Sequence, residues 1–240
     1  MKTLILPLFI FCTLTCDAQI LDTLNYALGK VDYAKNSEFV KIPDQYANKS
    51  GMYLRKEALD AFIIMRQAAK ADGIELRIIS AARSFYHQKS IWEAKWTGKK
   101  LVNGKNLSAT IADESTRAVE ILKYSSMPGT SRHHWGTDID INSLNPAYFE
   151  SGKGKKEYEW LRGNAHLYGF CQVYSEKGKE RQDGYEEEKW HWSYVPIASV
   201  LTKFHVTRIS EKELYGFAGD KSLSLAEKRK YILGISSYCK

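Results

Sequence analysis

The chain has 240 residues, 44% of them hydrophobic and 26% charged, a composition that excludes intrinsic disorder and collagen-like repeats. With 16 glycines and 5 prolines there is no room for a long low-complexity linker. The formal net charge is +7, but the cations are scattered in pairs such as Lys99-Lys100 and Lys155-Lys156 rather than gathered into a basic stripe, which argues against a nucleic-acid partner.

The chain opens as a secretory signal peptide. Lys2 supplies the positive start, Leu4 to Thr15 is apolar, and Cys16-Asp17-Ala18 places small residues before a cut at Gln19. The apolar run is shorter than the ~20 residues a membrane span needs, so no stable membrane anchor is expected. A lipoprotein cut before Cys16 would want a small residue where Thr15 stands. Export is the expectation, with Cys171 and Cys239 left in the mature chain. They form one disulfide, or Cys171 is simply buried and Cys239 free.

Residues 19–54 are polar and turn-rich and read as a lead-in. Leu54 to Asp72 carries Ala58, Leu59, Phe62, Ile63 and Met65 at helical spacing, with Gly73 as the stop. Leu76 to Ile79 reads as a strand, Phe85 to Trp96 as a helix, and Asp113 as the cap of a helix running to Tyr124. In Thr137 to Asn142, Asp138 and Asp140 alternate with Ile139 and Ile141, the pattern of a half-buried strand. Glu157 to Tyr168 is helical and stops at Gly169; Cys171 to Tyr174 and Trp190 to Val195 are further strands. The remainder to Lys240 reads as short helices packed on the outside. The expected fold is α+β, a domain over 55–205 with a small, mostly antiparallel sheet and a helical extension over 206–240.

Three segments gather the reactive groups: Ser80 to Ser84, Pro128 to Ile141, and Glu188 to His191. His133-His134 in a glycine-containing turn, followed by carboxylates on a strand, are donors suited to zinc. A His and an Asp from that segment plus a distant His would make three ligands and leave one position open for water. Each piece also has an ordinary reading. Paired histidines and strand aspartates often face solvent, a Glu186-Glu187-Glu188 run is usually a solvated turn, and Trp190 and Trp192 are core material. Spacing does not separate His133 from His134.

Ser131-x-His133-x-x-Gly136-x-x-x-Asp140 with Glu188-x-Trp190-His191 resembles the D-alanyl-D-alanine metallopeptidases of the VanY carboxypeptidase and VanX dipeptidase type, whose wider group includes lysostaphin-type enzymes and sonic hedgehog. Ser80 to Ser84 followed by Gln88, and Trp160 to Phe170, are similar to further segments of that family in the same order. The resemblance implies zinc held by His133, Asp140 and His191, and Glu188 as general base. Arg83 would face the scissile carbonyl or the substrate carboxylate, with Ser131 and Gln88 lining the substrate pocket. It implies a periplasmic or extracellular bacterial enzyme that trims terminal D-Ala from peptidoglycan stem peptides. An endopeptidase on the same stems is the alternative. A zinc-containing wall-binding module is the other, although the presence of Glu188 speaks against it. Two departures stand out. Asp138 occupies a position that is usually small, where it is either a partner of the ligands or a change to the pocket, and residues 96–127 form a long lysine-bearing insertion that could cover the cleft and change what fits.

Overall fold

The computed structural model describes residues 22–240, so the leader expected over 1–18 lies outside the described residues. The fold is α+β. Its centre is a four-stranded antiparallel sheet of β3 (Ile78–Ser80), β4 (Asp138–Ile141), β5 (Phe170–Gln172) and β6 (His191–Tyr194), in the order β3-β4-β6-β5. A separate hairpin joins β1 (Phe39–Lys41) to β2 (Tyr53–Arg55). That pairing takes the first residues of the stretch read as helix from Leu54, so α1 spans Lys56–Ala71.

Two apolar clusters sandwich the sheet. Ile139, Ile141, Phe170 and Trp192 point to one side and bury against Leu59, Phe62 and Met65 of α1. On the other side, Phe85, Trp92 and Trp96 of α2 (Phe85–Trp96) pack with Cys171, Val173 and residues from the insertion. The insertion folds into two short helices, α3 (Leu107–Thr110) and α4 (Glu114–Ile121), the latter capped by Asp113 as expected. Helix α5 (Gly152–Asn164) begins five residues before the Glu157 start read from periodicity. Its first turns lack an apolar stripe because Gly154 lies directly against the Tyr148 backbone, where a Cβ would approach to 2.1 Å.

The C-terminal stretch departs from expectation. Beyond α6 (Val195–Arg208), Phe217 and Leu223 ahead of α7 (Leu225–Leu233) and Ile235 and Cys239 after it are buried in the same cluster as Trp92, rather than laid on the outside. Cys239 is disulfide-bonded to Cys171 of β5, with Cα atoms 5.7 Å apart. The lead-in is also structural: Ala27 and Leu28 bury against Ile209 and Leu214.

Candidate active site

Arg132–Trp135 form a single 3-10 turn closed by Gly136 at φ 65°. That left-handed conformation, and a Phe39 ring that would lie 2.2 Å from any Cβ, leave room only for glycine. The lead-in holds the turn in place: the Tyr33 hydroxyl donates to the His134 carbonyl at 2.9 Å, and the Tyr26 hydroxyl to the Trp135 carbonyl at 2.6 Å. Directly downstream, the antiparallel register sets Asp140 of β4 opposite both Ser80 of β3 and His191 of β6. Directly opposed residues have Cβ atoms ~4.5–5.5 Å apart. Groups more than fifty residues apart in sequence therefore converge at one point.

His133, Asp140 and His191 are buried there with one ligand atom from each within 4.8 Å of the others. The hydrogen bonds behind the rings decide which atoms face inward. His133 Nδ1 lies 2.9 Å from the Ala81 carbonyl, which can only accept, so Nε2 carries the lone pair, 3.4 Å from Asp140 Oδ2. His191 Nε2 donates to Asp138 Oδ1 at 2.9 Å, which turns the Nδ1 lone pair toward Asp140 Oδ1 at 3.2 Å. Asp140 Oδ1 is buried and receives no hydrogen bond. Acceptors facing acceptors in a buried space call for a cation, and two imidazole nitrogens with one carboxylate fit a divalent metal ion. The electrostatics agree. Burial alone would lower the His191 pKa, but the Asp138 and Asp140 carboxylates outweigh it and push it up to about 10, so without an ion a proton takes the place at Nδ1 that a cation would fill. Burial would raise Asp140, yet His133 and His191 hold it well below the usual carboxylate range.

His134 is excluded from this role. Its Nε2 accepts from the Gly129 amide at 3.0 Å and its Nδ1 donates to the Arg83 carbonyl at 2.6 Å, so both nitrogens are spent, and burial lowers its pKa to about 3. Asp138 is a hydrogen-bond partner of His191 and does not line the cavity. Completely buried, it accepts from His191, from Arg132 Nε at 3.0 Å, and from the Thr137 and Ser193 hydroxyls. The alternation on β4 thus does not separate core from solvent, because Thr202 of α6 and Arg132 cover the polar face.

A cavity of about 540 Å³ opens onto the ligand group. Arg83, Ser131 and Glu188 line it, as expected. Glu188 lies 3.5 Å from His191 Nδ1, and burial pushes its carboxyl up to about 8. Gln88 does not line the cavity: it is fully buried behind Arg83, accepting from Arg83 Nη1 at 2.8 Å and donating to the Ser126 carbonyl. The reason is helical geometry, since Gln88 sits on the first turn of α2, beneath the guanidinium. Glu187 is not a free turn residue either, because the Tyr158 hydroxyl donates to it at 3.2 Å. Lys95, Tyr174 and Tyr185 also line the cavity and were not singled out from the sequence. A usable signal existed for Lys95, which lies seven residues after Gln88 on the same face of a helix.

The chain is similar to known proteins over this same region. The VanY family model, described as D-alanyl-D-alanine carboxypeptidase, matches residues 51–197. The protein YodJ of Bacillus subtilis (strain 168) is 37% identical over 149 residues, 60% of this chain and 46% of that one. A D-alanyl-D-alanine carboxypeptidase of Enterococcus faecalis (strain ATCC 700802 / V583) is 29% identical over 169 residues, 68% of this chain and 58% of that one. The chain thus spans about half the length of these curated relatives. Among solved structures, the LdcB LD-carboxypeptidase, described with its peptidoglycan recognition, superposes with a TM-score of 0.51 at 28% identity, covering 82% of this chain and 78% of that one. The turn bearing His133, the strand bearing Asp140 and the Glu188–His191 segment all fall inside the matched stretch, and the chain belongs to the VanY D-alanyl-D-alanine carboxypeptidase family.

Proposed function

We propose that this chain is a zinc-dependent carboxypeptidase of exported peptidoglycan metabolism, removing the terminal D-alanine from stem peptides. The observation that carries the reading is the buried Asp140 carboxylate, its Oδ1 without a hydrogen bond, set between His133 Nε2 and His191 Nδ1, with Glu188 alongside in an open cavity. His133 Nε2, Asp140 and His191 Nδ1 would hold the metal. A zinc ion there would supply Lewis acidity, acidifying water and polarising a carbonyl at neutral pH.

The protein's own groups divide the remaining work. Glu188 accepts the proton of the attacking water and returns it to the amide nitrogen as the C–N bond breaks. A carboxyl with a pKa of about 8 is matched to giving and taking a proton near neutrality. Arg83 is anchored by Gln88 and by the Ser80 hydroxyl at 2.9 Å, its Nη2 4.0 Å from Asp140 Oδ2. From there it faces the carbonyl oxygen as negative charge develops, a contribution commonly worth several kcal/mol. Asp138 fixes the His191 tautomer, and the Ala81 carbonyl fixes that of His133.

The likeness to an LD-carboxypeptidase favours a second reading, removal of a terminal D-residue that follows an L-centre in the stem. Mass spectrometry of stem pentapeptides and tetrapeptides incubated with the zinc-loaded protein separates the two. Loss of one alanine from the pentapeptide alone supports D,D specificity, and cleavage of the tetrapeptide supports L,D. An intact digest of both, with zinc bound, would overturn the peptidase reading.

A further inference from the structure

Seen from the cavity, the insertion does more than cover the cleft. Lys95 at the end of α2, and Lys100, Asn103 and Ser125 from the segment that follows, line the same cavity as Glu188 and Arg83. Arg83 is already committed, with both terminal nitrogens tied to Gln88 and Ser80 and the head turned toward Asp140. Lys95 is not. It is half-buried, its ammonium hydrogen-bonds the Ser125 hydroxyl, and among the described residues neither Lys95 nor Lys100 makes a direct salt bridge, Glu188 attracting Lys95 only from across the cavity.

Burying an ammonium without a counter-charge in contact with it is costly. Burial and repulsion from Lys100 and Arg83 outweigh the attraction of Glu188 and push Lys95 down to about 8. Surface lysines escape such a cost by reaching into water. Lys95 instead points into a concave space beside the reacting groups, with a second lysine and a serine hydroxyl next to it. Such a constellation is complete when an anion enters.

We propose that Lys95, supported by Lys100 and the Ser125 hydroxyl, forms a subsite that binds a carboxylate of the substrate peptide, apart from the metal group and from Arg83. The inference rests on the peptidase reading for the nature of the ligand. That carboxylate is either the C-terminal one of the peptide or a side-chain one on the residue preceding the D-Ala-D-Ala pair.

The test compares four N-acetylated tripeptides ending in D-Ala-D-Ala or its C-terminal amide, each with Glu or Gln as the first residue. Turnover by the zinc-loaded protein gives kcat/KM, and NMR titration of the metal-free protein gives Kd without turnover. The wild type should prefer one carboxylate over its amide by at least about tenfold, the scale of a charge-assisted hydrogen bond. Lys95→Met, which keeps the packing of the stem, should lose that preference in both measurements; Lys95→Arg should retain part of it, and Lys99→Met all of it. The C-terminal amide and the Gln peptides tell which carboxylate is held. A Lys95→Met protein, folded by circular dichroism, that keeps the wild-type preference for both carboxylates overturns the subsite, as does a wild type that treats all four peptides alike. Carboxylate-dependent Kd lost in Lys95→Met without any turnover by the wild type would keep the subsite and remove the peptidase reading. Brisk turnover with discrimination unchanged in Lys95→Met would do the reverse.

Discussion

Asp138 and Asp140 stand two residues apart on one strand, both buried and both against His191, yet their surroundings are opposite. Asp138 accepts from Arg132, Thr137, Ser193 and His191, and Arg132 in turn donates to Thr202 and Ser193, so this region is saturated. Asp140 has one oxygen with no hydrogen bond and faces two lone pairs. A buried polar group left unsatisfied costs roughly 1–3 kcal/mol, and of the few such atoms among the described residues, which include Glu157 Oε1 and Arg229 Nε, Asp140 Oδ1 alone lies between two imidazoles. The contrast teaches that saturation marks the scaffold and open valence marks the site. It also predicts different consequences for damaging each region.

The sharpest break falls on the open region. His133→Ala and His191→Ala should each lose stoichiometric zinc and all measurable hydrolysis while remaining folded, checked by metal analysis alongside circular dichroism. Full zinc in either variant would reassign the ligand. Glu188→Gln should follow, with kcat down at least ~10²-fold and zinc retained. Its stability should move the other way. A carboxyl pushed up to about 8 stays protonated in the folded chain while the unfolded chain ionises near its ordinary pKa of 4.5, so stability falls as pH rises from about 4.5 to 8. At pH 7 the metal-free Glu188→Gln protein should therefore melt no lower than the wild type.

Damage to the saturated region should read mainly as stability. Asp138→Asn leaves Arg132 buried without its counter-charge, which should cost about 3–5 kcal/mol in urea unfolding. Losing the carboxylate behind His191 should also weaken zinc about 10–100-fold. A variant with normal stability would show that the Arg132 network is dispensable. The smallest effect concerns His205 of α6, whose Nε2 donates to the Gly129 carbonyl at 2.8 Å. Burial, with Arg229 and Arg132 nearby, lowers its pKa to about 4, against about 6.5 when unfolded. Its contribution is complete above pH 6.5 and is lost as pH falls toward 4, by about 1 kcal/mol per pH unit. Urea midpoints against pH should show that slope in the wild type and a shallower one in His205→Gln.

Local chemistry made much of the fold readable in advance. Helix α2 has the expected ends because the Ser84 hydroxyl caps the His87 amide and an aromatic stripe follows. Strand β4 was visible as alternation, and the Cys171–Cys239 disulfide as one of two readings of those cysteines. The hairpin of β1 and β2 was not visible, since three-residue strands in a polar stretch take their identity from pairing. Nor was the depth of the C-terminal stretch, because Phe217, Leu223 and Ile235 are too widely spaced to show a periodic face.

The sequence by itself determined the donor types, their order along the chain and the α+β pattern, because those depend on residue chemistry and short-range periodicity. Only the tertiary structure placed His133, and not His134, beside Asp140 and His191, set Asp138 behind His191 instead of in the cavity, moved Gln88 behind Arg83 and brought Lys95 into the cavity. Those outcomes depend on which backbone carbonyl or guanidinium stands behind each ring and carboxylate. Antiparallel register and helix packing set that partner across tens of residues, at distances no local pattern records.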